Sequence, residues 1–144
     1  MKKPAKFNKK FNHSYAELAR VGRTYYADKN FCAVIATAVI NDWSFGISKA
    51  KLENRGYRTT GKGVYATDTH NLFAEHGKKL EPLPLGLYGK TLRTFARRIP
   101  ETGRYIIHTK GHITAVRDGI MEDSEGAHRS LKPIVGLFKV VDAS

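Results

Sequence analysis

Three residues carry the chemistry of this sequence: Cys32, His112 and Asp123. Cys32 is the only cysteine in the chain, so no intrachain disulfide can form, and it heads an apolar run from Phe31 to Ile40. A thiol in the first turn of a helix meets unpaired backbone N–H groups and the positive end of the helix dipole. Both stabilise a thiolate, and the same N–H groups suit an oxyanion. A cysteine nucleophile draws its base from a histidine distant in sequence. His112 fits that role, because it follows the uncrowded Gly111 and opens a strand.

The acid follows from register. Asp118-Gly119 is a favoured two-residue hairpin turn, which sets Arg117 opposite Ile120, Val116 opposite Met121, Ala115 opposite Glu122 and Thr114 opposite Asp123. Side chains at 112, 114 and 116 share one face, so Asp123 is a diagonal neighbour of His112. It is placed to hold the imidazole as the third member of a triad. Asp118 sits at the turn tip, roughly 20 Å of strand away from His112, and belongs to the turn. A free cysteine commonly packs as a small hydrophobe, and a His–Asp pair on a hairpin is ordinary. The three together point to nucleophilic catalysis.

The elements that must position them read as follows. Ser14 and Glu17 form a capping box for a short helix to about Arg20. Tyr25 to Asn30 reads as a loop, with Asn30 as N-cap of a central buried helix over the Phe31–Ile40 run. Ser44 caps a helix to about Asn54 that Gly56 ends, and Arg58 to Val64 reads as a flexible loop. Another helix opens at Thr67 or Asp68 and stops at Gly77; Glu81 to Gly86 is extended around its prolines. Thr91 to Arg98 is helical. Strands follow at 103–108, 112–117, 120–123 and 131–141. Helices first and antiparallel strands last make an α+β layout.

The 144 residues suffice for one domain, with residues 1–12 expected as a basic flexible arm and 13–144 as the domain. Lys and Arg outnumber Asp and Glu by 25 to 13, a net charge of +12, which favours acidic partners. Arg93, Arg97 and Arg98, with Lys90 and Arg104, are a candidate basic surface. No helix-turn-helix, zinc-finger or aromatic RNA-binding signature accompanies them, so nucleic acid is the less favoured partner. The lysine-rich N-terminus lacks the apolar core of a signal peptide, and no run is long enough to span a bilayer; a cytoplasmic protein is expected. Gly89-Lys90-Thr91 lacks the first glycine of a phosphate loop, since position 84 is proline. His108 and His112 flank a glycine rather than share a helix face, and His70 and His76 read as solvated helix residues. No metal and no organic cofactor is implied.

The layout resembles the papain-like cysteine peptidases, including their minimal phage and bacterial versions. The residues that carry the likeness are Asn30 to Ala38 at the head of a buried helix, Gly111 to Val116, and Asp118 to Ser124. The Leu52 to Arg58 stretch is similar to the helix-then-glycine segment after the nucleophile helix. The resemblance implies a papain-like α+β fold, an N-terminal nucleophile helix on a C-terminal antiparallel sheet. It also implies hydrolysis of peptide or isopeptide bonds through Cys32, His112 and Asp123, with a protein or peptide substrate. The family places a glutamine before its cysteine as oxyanion donor. This chain has no glutamine, which leaves Asn30 or the Cys32 N–H alone, and leaves open a catalytically weak relative that binds nucleic acid or an acidic host protein.

Overall fold

The computed structural model describes residues 14–124 and 126–143; the expected basic arm, residues 1–12, lies outside them. The fold is α+β: the described residues form five helices, a 3-10 turn and one five-stranded antiparallel sheet. The helices are α1 (Tyr15–Tyr26), α2 (Cys32–Asn41), α3 (Phe45–Asn54), α4 (Ala66–Glu75) and α5 (Leu92–Arg97). The strands are β1 (Lys78–Pro82), β2 (Arg104–Thr109), β3 (His112–Arg117), β4 (Ile120–Glu122) and β5 (Gly136–Asp142). Their order across the sheet is β1-β5-β2-β3-β4. Among the described residues no helix is long and apolar enough to cross a membrane.

Alternation along the strands divides the core into two layers. Ile106, Ile113, Ala115 and Val140 pack with α1 to α4 on one face. Tyr105, Ile107, Val116, Met121 and Leu137 pack with α5 and Ala127 on the other. Helix α2 is the centre of the first layer, with every residue from Ala33 to Ile40 buried.

The two ends of α2 are treated differently. At its C-terminus Asp42 adopts a left-handed conformation, Arg117 Nη1 donates to Val39 O at 2.7 Å, and Arg104 Nη1 donates to Ile40 O at 2.9 Å. Two cations thus satisfy the last carbonyls and complement the negative end of the dipole. At the N-terminus the cap is Phe31, with no side-chain hydrogen bond. Asn30 is therefore not the N-cap: it lies one residue too early, with φ +52°, and its amide Nδ2 donates to Gly61 O at 2.9 Å. The first N–H groups of α2 are left without a side-chain cap where Cys32 stands.

Other differences from the sequence reading have local causes. Helix α1 continues through Tyr25 and Tyr26 until Ala27 turns left-handed (φ 48°) and Asp28 N–H closes onto Gly22 O at 3.0 Å. β1 is a charged edge strand ending in Pro82, which suits an exposed sheet edge but hides its strand character. The last strand begins only at Gly136, where a Cβ would stand 3.1 Å from Phe138 and 3.2 Å from His108.

Candidate active site

The hairpin register is the expected one: Ala115 pairs with Glu122, Val116 with Met121 and Arg117 with Ile120. Asp118 and Gly119 both have positive φ, 48° and 84°, and Asp118 Oδ1 accepts from Gly103 N–H at 3.0 Å, so this acid serves the turn. Asp123, one residue past β4, reaches back to His112: the ring Nε2 and Asp123 Oδ2 are 2.7 Å apart. The same carboxylate accepts from the Thr114 hydroxyl, and its Oδ1 accepts from Ser124 N–H at 2.6 Å. Side-chain exposure is 1 % for Asp123 and 27 % for His112. The acid is sealed, and the imidazole keeps one edge towards solvent.

Cys32 lies beside this ring, on the walls of the same cavities. Burial by itself would raise the Cys32 thiol, but the hydrogen bond from His112, a backbone hydrogen bond from Ile113 and the His112 charge outweigh it. The net direction is down from the ordinary thiol value. His112 moves the opposite way, pushed up to about 10 by its hydrogen bonds to Asp123 and then Cys32, against burial. The two shifts run in opposite directions, each group favouring the charged form of the other.

Two cavities meet at this pair. One, of about 360 Å³, is lined by Val64, Tyr65, His108, Lys110, Ile113 and Val135 among others. The second, of about 430 Å³, is lined by Tyr15, Asn30 and Phe31. Cys32, His112, Gly63 and Gly111 belong to both. Gly111 needs its glycine for φ +71° in the β2–β3 turn. Gly63 has no such need, and a Cβ there would meet nothing within 4 Å; its missing side chain leaves space beside the thiol.

The segment from Arg58 to Gly63 is tied down rather than a free loop, and its last residue, Gly63, lines both cavities. Arg58 and Asp28 form a fully buried pair at 2.8 Å, with both guanidinium Nη atoms on the carboxylate. Asp28 Oδ1 also accepts from Gly61 N–H at 2.8 Å, and Arg58 Nε donates to Lys62 O at 2.9 Å. Burial works against the Asp28 charge, but these hydrogen bonds hold its carboxyl below the ordinary range. This network ties the segment that ends at Gly63 to Asp28 and Lys29, just before Cys32, and no local sequence signal announces it.

The remaining candidates fall elsewhere. Asn30 reaches the second cavity, yet its amide nitrogen is engaged with Gly61. Arg93, Arg97 and Arg98 are exposed around α5, on the sheet face opposite α2. Arg104 leaves that group, being held at the end of α2 and near Asp142. His70 and His76 are partly buried rather than fully solvated: His70 Nε2 meets His108 Nε2 at 3.0 Å, and His76 packs edge-on against Trp43. Among the described residues no three metal-ligating side chains gather. Thr114 was legible as the residue facing Asp123, but its hydrogen bond to that acid was not.

No protein-family model matches the chain, and no curated protein or solved structure matches it significantly.

Proposed function

We propose that the chain is a papain-like cysteine hydrolase acting on peptide, isopeptide or related amide bonds. The observation that carries this reading is the continuous line from Asp123 through His112 to Cys32, ending where two cavities meet. A nucleophile at the uncapped end of a buried helix and a base at the first residue of a sheet strand support the papain-like assignment.

In this mechanism the Cys32 thiolate adds to the carbonyl carbon, and the carbonyl π electrons move onto oxygen. The tetrahedral intermediate collapses, the C–N bond breaks, and His112 gives its proton to the departing amine. Water then adds to the thioester with His112 as base, releasing the acid and restoring the thiolate–imidazolium pair. Asp123 stays ionised throughout and fixes the ring. The two cavities receive the chain on either side of the scissile bond. Lys110 lines one of them, while the site's own acid is sealed behind His112; this polarity favours acidic substrates.

The test is the pH dependence of Cys32 alkylation by iodoacetamide in the native protein and in His112→Ala. The native thiol is expected to react at pH 6 faster than a free thiol, and the variant is expected to lose that advantage. A native thiol that reacts no faster than free cysteine at pH 6 ends the hydrolase reading.

A further inference from the structure

We propose that the Tyr15 hydroxyl donates the second hydrogen bond to the oxyanion formed when Cys32 adds to a carbonyl. This rests on the hydrolase reading and supplies what that reading lacks. An oxyanion hole needs preorganised donors aimed at the developing charge. The Cys32 N–H at the uncapped start of α2 is one; the chain has no glutamine to be the other.

Elimination within the cavity leads to Tyr15. The polar side chains on the wall of the second cavity are those of Tyr15, Asn30, Cys32 and His112. His112 is engaged with Asp123 and Cys32. Asn30 has its amide Nδ2 engaged with Gly61 O at 2.9 Å. Tyr15 remains, half-buried, with its hydroxyl making no hydrogen bond among the described residues.

The placement of Tyr15 is rigid. It is the first residue of α1, capped by Ser14, whose Oγ accepts from Glu17 N–H at 3.4 Å. Its own N–H donates to Oε1 of buried Glu122 at 3.2 Å, the residue before Asp123. The start of α1 is thereby fastened to the strand end that carries the triad acid, and the ring packs against the α2 layer. Burial and the neighbouring negative charges of Asp123 and Cys32 raise the phenol above its ordinary value, against an opposing effect of Arg23. A donor must keep its proton while the nucleophile has lost its own, and with Tyr15 shifted up and Cys32 shifted down the phenol gives up its proton at higher pH than the thiol.

The step involves no proton transfer from tyrosine. The thiolate sulfur bonds to carbon, the C=O π pair becomes the oxyanion lone pair, and Tyr15 O–H and Cys32 N–H hydrogen-bond to it. When the intermediate collapses, that pair re-forms C=O and the leaving group departs.

Two reagents separate this role from every other. Acylation by a p-nitrophenyl ester passes through an oxyanion, whereas alkylation by iodoacetamide does not; both report on the same thiolate. In Tyr15→Phe, which retains the ring, acylation is expected to slow roughly 10²- to 10³-fold while alkylation and the melting temperature hold. Equal rates in variant and native protein overturn the proposal. So does a parallel loss in both reactions, which would make the ring a support of the ion pair. Loss of acylation in Asn30→Ala with retention in Tyr15→Phe assigns the donor to Asn30 and overturns it equally. A native protein that the ester never acylates defeats the hydrolase reading itself, and Tyr15 with it.

Discussion

Two histidines border the same cavity, each with a partner behind it, and come out with opposite chemistry. His112, half-buried, has Asp123 at 2.7 Å and is pushed up to about 10. His108, also half-buried, has His70 at 3.0 Å and is pushed down to about 4 by burial and then by the His70 charge. Burial acts in the same direction on both rings. The neighbour decides whether burial prevails: a sealed carboxylate overrides it and makes an imidazolium, whereas beside a second imidazole burial keeps the ring neutral. His70 and His108 meet nitrogen to nitrogen, so one ring must donate and the other accept, and the edge of Phe138 closes on both. Reactivity at Cys32 therefore depends on which histidine it touches, and the fold gives it the one with an acid behind it.

The comparison breaks most severely if the acid is removed. In Asp123→Ala the His112 ring loses the main cause of its high value and falls back towards the ordinary 6.5 of histidine, as NMR titration of its ring protons would read. Cys32 then loses its charged partner, and hydrolysis at neutral pH is expected to drop roughly 10²- to 10⁴-fold. A variant that keeps His112 near 10 would show that Asp123 is not what raises it. Thr114 and Ser124, which both donate to Asp123, would be left without their acceptor, so the variant is also expected to melt earlier.

The converse change supplies an acid to the other pair. Phe138 stands edge-on to His70 with centroids 4.6 Å apart and to His108 with centroids 5.8 Å apart. Phe138→Glu places a carboxylate where only ring edge stood. An opposite charge at that range raises a histidine by roughly one to three pH units, so His108 should move up from about 4 in the same NMR experiment. If His108 stays near 4, burial rather than the missing acid governs that pair.

The difference between the pairs also marks what the sequence could disclose. Asp123 was legible because Asp118-Gly119 fixes the hairpin register, and register alone decides which residues face His112. Cys32 was legible because an apolar run that long and unbroken must be a buried element with a definite head. The His70–His108 contact was not, since it depends on how α4 lies across β2, a tertiary packing choice without local signature. Gly136 carried the one available signal, as a glycine at the start of a strand where His108 comes too close for a side chain. Tyr15 and the Arg58–Asp28 pair were hidden for the same reason: each joins segments whose approach the core sets, not their own residues.

The smallest expected effect concerns stability in acid. A histidine neutral in the folded protein at about 4 and ordinary, near 6.5, when unfolded binds its proton more readily in the unfolded chain. Between these values the unfolded state therefore takes up more protons, and stability falls as pH falls. The contribution of His108 is fully present above pH 6.5, declines through the interval and is exhausted below about pH 4. His70, lowered by burial, adds in the same direction. A half-exposed site is screened by solvent, so the slope should not exceed roughly 1 kcal/mol per pH unit. Replacing both rings, as in His70→Phe with His108→Gln, is expected to flatten denaturant-derived stability between pH 6.5 and 4 relative to the native protein. An unchanged slope in the double variant would transfer that acid sensitivity to the carboxylates, and would mean the two histidines are not held neutral by their surroundings.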